Sequence, residues 1–315
     1  MLRLSALLLA FATFITPAGH SDTRATSVAP DSLNGRWDII VKTSHGNAPS
    51  WLEVEASGRD ALVGRFVGIV GSARPISRIV VRADSFHFAI PHQWEDGSSE
   101  LVVDGRLAGG QLTGRMIFPD STSSEFTGTR APLLRRAAAP VWAAPIHLLH
   151  ANDLGGWHST AQPNQWEVKG GVLHSPKSGA NIVSDRTFGD FKLHVEFRYP
   201  AESNSGVYLR GRYEVQVQDD LGHQPSTDAI AGVYGFIAPS EVAAKRPGEW
   251  QSYDITLIGR SVTVVLNGRR VICEREIPGI TGGALDSDEG APGPILLQGD
   301  HGPIEYRNIV VTPGR

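Results

Sequence analysis

The sequence predicts an all-β protein with two parts, a small antiparallel barrel or sandwich followed by a larger two-sheet antiparallel sandwich. Three observations predict this: glycine and proline are abundant, apolar and polar residues alternate over short segments, and turn residues separate those segments. The chain has 315 residues with 35 glycines and 20 prolines, which is typical of many short strands joined by tight turns. This length is sufficient for two hydrophobic cores of ordinary size.

The first 18 residues have the three parts of a secretion signal. Arg3 supplies the positive charge, Leu4 to Ile15 form an apolar run, and residues 16–18 end it with a small-residue exit. The run is too short to cross a bilayer core of about 30 Å as a helix. We therefore predict a signal peptide over residues 1–18, export to the periplasm or the medium, and no membrane span in the mature protein. A start-anchor or a buried helix is the alternative.

Charge, cysteine content and missing motifs exclude several classes of protein. With 29 Lys and Arg against 33 Asp and Glu, and no basic run, the chain has no footprint for nucleic acid. Cys273 is the only cysteine, so no intramolecular disulfide forms, and its apolar neighbours predict a buried, inert thiol. Neither the Gly-x-Ser-x-Gly elbow of serine hydrolases nor the His-Glu-x-x-His motif of zinc proteases is present.

Residues 31–132 contain short extended segments separated by Gly-containing turns, with no helical period. Evenly spaced hairpins of this kind predict a small antiparallel barrel or sandwich, whose role the residues do not indicate. We predict that Trp37, Trp51 and Trp94 are core residues and not binding residues. Residues 133–145 are rich in proline and alanine, which predicts an interdomain linker, with a short helix as the alternative.

Residues 146–313 alternate more sharply. Residues 191–199 and 213–218 show the clearest period of two, with an apolar face and a polar face. We expect the apolar faces to pack against a second sheet and the polar faces to point outward. Asn267 and Gly268 form a strong signal for a two-residue hairpin turn. This part is therefore predicted to be a two-sheet antiparallel sandwich.

The polar residues of this second part include charged, amide and imidazole side chains, an unusual set for a solvated sheet face. These side chains are costly to desolvate, and their several donors and acceptors bind hydroxyl groups well. On one polar face we predict Glu196, Arg210, Glu214, Gln216, Gln298 and His301. Tyr208, Tyr234 and Trp250 are predicted aromatic platforms for sugar rings. The alternative for each residue taken singly is an ordinary solvated face with salt bridges.

Several motifs along residues 146–313 match one enzyme family in order and spacing. They are Glu196-Phe197-Arg198, the run Asn204 to Gly211, Tyr213-Glu214-Val215-Gln216, Val233-Tyr234-Gly235, Pro247 to Trp250, Leu266-Asn267-Gly268, Leu297 to Gly302, and Glu305 to Ile309. Together they resemble the 3-keto-disaccharide hydrolase family. The resemblance implies a concanavalin-like jelly roll acting on a carbohydrate substrate, an oxidised glycoside. It does not extend to residues 31–132.

For such a substrate, a ketone at C3 acidifies the C2 proton, so that a base removes this proton and the enolate expels the C1 substituent. The site needs a base, a stabiliser for the enolate oxygen and an acid for the leaving group. The expected base is Glu196, Glu214 or His301. Arg210 or a bound divalent cation is the expected stabiliser, although no fixed metal-ligand spacing is present.

Two other functions fit the same residues. Glu196 and Glu214 are the natural pair for direct hydrolysis of an unmodified glycoside by two carboxylates. A non-catalytic, lectin-like module would bind glycan through Trp250, Tyr208 and the polar face. The acidic run Asp286 to Glu289 lacks the calcium-loop pattern and is predicted to be a solvated loop.

Overall fold

The structure is a computed structural model that describes residues 32–315, and its regular elements are β-strands. The strands of the first part are β1 (Gly35–Thr43), β2 (Gly46–Ser57), β3 (Ala61–Val67), β4 (Arg74–Arg82), β5 (Ser85–Ile90), β6 (Leu101–Ala108), β7 (Gln111–Ile117) and β8 (Ser123–Arg130). Each strand pairs with the next, and β1 also pairs antiparallel with β8, so the sheet closes into a barrel. The predicted signal peptide lies outside the described residues.

The barrel interior is filled by the alternate residues of its strands. On β1, Trp37, Ile39 and Val41 are fully buried, as the period of two requires. Trp37 and Trp51 are core residues, as predicted, although Trp51 packs in the core of the second part and not inside the barrel. Trp94 is not a core residue: it is 69% exposed and lies between β5 and β6, where the strand alternation has already ended.

The second part begins with short strands and ends with long ones. Its strands are β9 (Ile146–His147), β10 (Trp157–Ser159), β11 (Glu167–Lys169), β12 (Val172–Ser175), β13 (Ile182–Phe188), β14 (Phe191–Arg198), β15 (Asn204–Leu209), β16 (Tyr213–Gln218), β17 (Gln251–Ile258), β18 (Ser261–Leu266), β19 (Arg269–Glu276), β20 (Gly293–Leu297) and β21 (Ile304–Pro313). They form a 5-stranded sheet in the order β10-β13-β20-β15-β16 and an 8-stranded sheet in the order β11-β12-β21-β14-β17-β18-β19, with β9 beside β21. The predicted two-sheet antiparallel sandwich is confirmed.

Local sequence explains where these strands turn. Asn267 and Gly268 adopt φ values of 51° and 80° between β18 and β19, the left-handed pair that a type I′ hairpin needs.

The strand that follows this turn, β19, departs from the expectation, since Cys273 is exposed and the predicted burial of its thiol is wrong. The register of β19 on β18 shifts on either side of Val264, so Val271 and Ile272 both point inward and Cys273 is displaced to the surface.

The two parts share a buried boundary. Trp51 of the barrel packs edge-on against Phe236 of the sandwich, with ring centroids 5.4 Å apart. Glu289 is fully buried there, accepting hydrogen bonds from Arg260 at 2.8 Å and the Tyr213 hydroxyl at 2.5 Å. The acidic run is therefore not a solvated loop, because its last residue completes a buried ion pair.

The predicted linker, residues 133–145, contains no helix and runs along the sandwich. Arg136 forms an ion pair with Asp190 at 2.7 Å, and the Lys192 ammonium group lies 4.7 Å from the centre of the Trp142 ring. These contacts attach the segment to the second part. Across residues 32–315, no helix is long and apolar enough to cross a membrane.

Candidate functional site

The predicted site residues do not lie on one face, and that expectation is wrong. Glu196 is on β14 of the 8-stranded sheet, between two core residues, so its side chain points out of the sandwich on that side. Glu214 is on β16 of the 5-stranded sheet, between the core residues Tyr213 and Val215, and points out on the opposite side. The period of two predicted that each carboxylate faces outward, but it did not indicate from which sheet.

The Glu196 face is a surface of compensated charges. Glu196 accepts hydrogen bonds from Arg307 at 2.6 Å and Asn308 at 2.7 Å. Partial burial acts to raise the pKa of Glu196, but these two donors lower it overall. The guanidinium groups of Arg307 and Arg198 lie 3.9 Å and 4.8 Å from the centre of the Trp250 ring. Trp250 is therefore engaged by cations on this face and lies away from Glu214.

Arg210 is a buried structural residue in this fold. It is 1% exposed and donates hydrogen bonds to the Gly259 carbonyl at 2.9 Å and the Tyr213 hydroxyl at 3.0 Å. Its φ of 54° at the end of β15 directs the side chain inward instead of along the outer face. The expectation that Arg210 stabilises an enolate oxygen on the same face as Glu214 is contradicted by this position.

The outer face of the 5-stranded sheet is where the remaining predicted residues meet. Glu214 pairs across the strands with Tyr208. In the neighbouring row, Gln216 pairs with Gly206, and the backbone of Gln298 bonds to the other side of Gly206. A Cβ at Gly206 would lie 2.2 Å from Glu214 Oε1, so the missing side chain is what leaves room for the carboxyl group.

The Glu214 carboxyl group is buried without a compensating cation. It is 4% exposed, and no Lys or Arg within residues 32–315 forms an ion pair with it. Burial raises the pKa of Glu214 to about 8, although the hydrogen bond with Tyr208 and the charge of His301 act to lower it. Glu214 is therefore mostly protonated at neutral pH.

The Tyr208 hydroxyl lies within hydrogen-bond distance of both the Glu214 carboxyl group and a backbone carbonyl group. It lies 3.0 Å from Glu214 Oε2 and 3.0 Å from the Gly282 carbonyl oxygen. A hydroxyl has one proton and a carbonyl oxygen has none to give, so both contacts are satisfied when protonated Glu214 donates to Tyr208 and Tyr208 donates to Gly282. The geometry and the raised pKa of Glu214 thus agree.

His301 stands at the edge of the same face, in the loop between β20 and β21. Its Nδ1 lies 2.6 Å from Asp300 Oδ1, which fixes the ring and leaves Nε2 without a partner among the residues described. The hydrogen bond with Asp300 raises the pKa of His301, burial opposes this, and the Asp300 and Glu214 charges add to it. Asp300 was missed from the sequence, although it adjoins His301 in the Leu297 to Gly302 motif.

Gln298 presents an unsatisfied acceptor to the site. It is 7% exposed, and its Oε1 has no hydrogen-bond partner among residues 32–315. Its main chain is held in place because the Ser205 hydroxyl donates to the Gln298 carbonyl at 2.7 Å. A buried acceptor without a donor is unfavourable in the free protein, and a ligand hydroxyl would satisfy it.

Tyr234 borders the site on the other side of β16. Its backbone N–H donates to the Glu214 carbonyl at 3.1 Å, which holds the loop of residues 229–237 against that strand. Burial raises the pKa of Tyr234, and the side chain of Trp94 from the barrel acts to lower it. The structure thus brings together Tyr208, Glu214, Gln216, Tyr234, Gln298 and His301, and separates Glu196, Arg210 and Trp250 from them.

The expected divalent cation has no defined ligand set here. Within residues 32–315, no group of three or more His, Cys, Asp or Glu side chains is placed to hold a metal ion. Asp300 and His301 contact each other, but Glu214 meets a tyrosine hydroxyl instead of joining them as a third ligand. Three or more such donors are the usual minimum for a resident ion.

Solved structures that are similar to part of this chain include several from one bacterium. A candidate glycosyl hydrolase from Parabacteroides distasonis ATCC 8503 is 30% identical, with a TM-score of 0.47, over 54% of this chain and 83% of that one. A second from the same organism is 23% identical, with a TM-score of 0.44, over 54% of this chain and 100% of that one. A carbohydrate-binding module from Bacillus subtilis is 14% identical, with a TM-score of 0.34, over 50% and 95%.

Among curated proteins, none is significantly similar to the chain. Residues 144–312 match the family described as the 3-keto-alpha-glucoside-1,2-lyase-like domain, and this range contains every residue of the Glu214 site. The resemblance predicted from the motifs is confirmed. Because the match spans more than half of the chain, the protein belongs to the 3-keto-alpha-glucoside-1,2-lyase-like domain family, and its sandwich is a carbohydrate-active domain.

Proposed function

We propose that the protein cleaves glycosidic bonds of 3-keto-glycosides by elimination, at the outer face of the 5-stranded sheet. The observation that carries the proposal is the combination of a buried carboxyl group with a raised pKa, Glu214, and an oriented Asp300–His301 pair on the same face. Glu214, with its raised pKa, is suited to donate a proton near neutral pH, and the neutral form of His301, oriented by Asp300, is suited to accept one, as acid–base catalysis of elimination requires.

In the first step, His301 Nε2 removes the C2 proton of the sugar. The electron pair of the C2–H bond moves toward C3 and places negative charge on the ketone oxygen as an enolate. Asp300 holds the imidazole in orientation through Nδ1 and stabilises the imidazolium that forms.

In the second step, the enolate collapses: the C3 carbonyl re-forms, a C1–C2 double bond forms and the C1–O bond breaks. Glu214 gives its proton to the departing oxygen, which leaves as an alcohol. The imidazolium then returns a proton to the Glu214 carboxylate. Addition of water across the double bond completes net hydrolysis.

The other residues of the face bind and orient the sugar. Gln298 Oε1 accepts a hydrogen bond from a sugar hydroxyl, because this oxygen is buried and unpaired in the free protein. Burial and the neighbouring Glu214 raise the pKa of Tyr208, which keeps its hydroxyl protonated and able to support the Glu214 carboxyl group. Gln216 lies beside Gly206 and adds a second amide to the same row.

Direct hydrolysis by Glu196 and Glu214 does not fit the geometry. Paired carboxylates of glycosidases are about 5–9.5 Å apart. These two point outward from opposite faces of sheets that pack about 10 Å apart, so their separation is larger still. This arrangement favours elimination over a two-carboxylate mechanism with this pair.

The test is turnover of methyl 3-keto-α-glucoside beside the unmodified glucoside. We expect release of methanol from the keto form alone, with a primary isotope effect when C2 carries deuterium. Equal cleavage of the two substrates would contradict elimination. Binding without turnover of either, measured by calorimetry, would instead favour the lectin-like alternative.

We also propose that this activity takes place outside the cytoplasm, because residues 1–18 have the composition of a signal peptide. The chain is then expected to lose this segment on export. Mass spectrometry of the protein recovered from its producing cells would show the mature N-terminus, and an intact Met1 would contradict export by cleavage.

A further inference from the structure

The barrel reaches the candidate site through two of its loops. A Cβ at Gly282 would lie 2.0 Å from the Gly71 carbonyl oxygen, so this barrel loop touches the segment whose carbonyl bonds to Tyr208. A Cβ at Gly235 would lie 2.6 Å from the Ala73 nitrogen. The loop between β3 and β4 therefore packs against both site loops that flank Glu214.

These two barrel loops are fixed to each other. Arg74 and Glu95 form a buried ion pair at 2.5 Å, and the side-chain oxygen of Gln93 accepts a hydrogen bond from the Ser72 backbone at 2.9 Å. The second loop, between β5 and β6, is thereby held on the side of the barrel that faces the site. Trp94 lies between Gln93 and Glu95, the two residues that hold the loop.

Trp94 is an exposed indole on this rigid support. It is 69% exposed, whereas Trp37 and Trp51 of the same barrel are fully buried. A Cβ at Gly71 would lie 3.1 Å from Cδ1 of the Trp94 ring, so Trp94 packs on the same barrel loop that contacts Gly282. Its side chain also forms a hydrogen bond with the Tyr234 side chain, and Tyr234 is bonded through its backbone to Glu214. An exposed indole beside a second aromatic ring is well suited to stack on the C–H face of a sugar.

The order of strands places Tyr234 and Trp94 on one side of Glu214 and His301 on the other. His301 and Gln298 follow β20, Glu214 is on β16 at the edge of the sheet, and Tyr234 with Trp94 lies beyond that edge. If His301 removes the C2 proton and Glu214 protonates the C1 oxygen, the leaving group extends from Glu214 away from His301. That direction leads to Tyr234 and Trp94.

We propose that Trp94, supplied by the barrel, forms with Tyr234 a binding site for the leaving-group ring of the substrate. This inference rests on the proposed elimination and adds to its site a residue that lies outside the family match of residues 144–312. The barrel thereby acquires a role, since it completes a site whose catalytic groups all belong to the sandwich. A small aglycone such as methyl does not reach Trp94.

The experiment compares full-length wild type with Trp94→Ala and Trp94→Phe on two substrates. These are methyl 3-keto-α-glucoside and a 3-keto disaccharide whose leaving group is glucose. We expect Trp94→Ala to raise the KM for the disaccharide about tenfold more than the KM for the methyl glycoside. Trp94→Phe retains a ring and should recover most of this difference. Leu133→Ala, another exposed apolar residue, is the control and should keep the wild-type ratio.

An unchanged ratio of the two KM values in Trp94→Ala would overturn the inference while leaving the proposed function in place. If wild type turns over neither substrate, the proposed function fails, and the inference is then decided by calorimetric binding of the same disaccharide. Affinity about tenfold weaker in Trp94→Ala than in Leu133→Ala would support the aromatic site. Equal affinities would overturn it.

Discussion

The two faces of the sandwich each carry a glutamate in the middle of an alternating strand, yet the two carboxyl groups have opposite properties. Glu196 accepts hydrogen bonds from Arg307 and Asn308, which lower its pKa. Glu214 is covered by loops and has no such cation, so burial raises its pKa to about 8. The chemistry of the two faces thus differs because of what lies above the sheet and not because of the strands themselves.

The largest expected effect is the difference in activity between a Glu214 variant and a Glu196 variant. Glu214→Gln removes the acid and should lower kcat/KM for a 3-keto-glycoside by about a thousandfold. Glu196→Gln, the matched control on the opposite face, should change it by no more than about threefold, since Glu196 lies outside the site. Steady-state kinetics on both variants measure this, with thermal unfolding to verify that each is folded. Similar losses of kcat/KM in the two variants would contradict the assignment of the site to the Glu214 face.

A second expected effect concerns the space that Gly206 leaves for the Glu214 carboxyl group. Gly206→Ala places a methyl carbon 2.2 Å from the present position of Glu214 Oε1 and should lower kcat/KM by about a hundredfold through misplacement of the acid. Gly189→Ala is the control, because nothing lies within 4 Å of a Cβ there and its backbone is not left-handed. Wild-type kinetics in Gly206→Ala would mean that the carboxyl position is not critical.

The pH dependence should also distinguish the faces. Glu214 must be protonated to act as an acid, so kcat/KM should fall about tenfold per unit as pH rises above its pKa of about 8. On the acidic side, activity should fall as His301 becomes protonated, and Asp300→Asn, by lowering the pKa of His301, should move this limb to lower pH. Glu196→Gln should leave both limbs in place. A basic limb that survives in Glu214→Gln would assign it to another group.

The smallest expected effect is on stability at the Glu196 face. Arg307→Ala removes an ion pair and the contact with Trp250, and should lower the free energy of unfolding by about 1 kcal/mol. Arg106→Ala removes a more exposed pair with Asp84 and should change it less. Denaturant unfolding measures both. A loss of several kcal/mol would show that this surface is more than a set of compensated charges.

Much of the fold followed from the sequence because it depends on local patterns. Alternation over residues 191–199 and the Asn267-Gly268 turn appear in the structure as predicted. Two of the failures have one physical cause, an irregular backbone that interrupts the period of two. Cys273 is exposed because the register of β19 on β18 shifts. Arg210 points inward because its own backbone is left-handed at the end of β15.

The candidate site was predictable residue by residue but not as an arrangement. The sequence predicts Glu214, Tyr208, Gln298 and His301 as site residues, and the structure places all four on or next to strands of a single sheet. Glu196 was assigned to the same face because alternation gives the direction of a side chain relative to its own strand alone. The sheet to which a strand belongs is set by long-range pairing, which no local pattern specifies.

The buried boundary at Trp51 bears on how the protein could be divided. Trp51 belongs to the barrel by chain position, yet it packs with Phe236 and fills space next to Gly279 in the sandwich. A fragment that begins after the barrel would expose this apolar surface and would lose Asp38, the barrel residue that lies against Glu289 of the Arg260–Glu289 pair. The two parts are therefore not interchangeable modules, and a graft of the sandwich onto another carrier would have to supply a substitute for that indole.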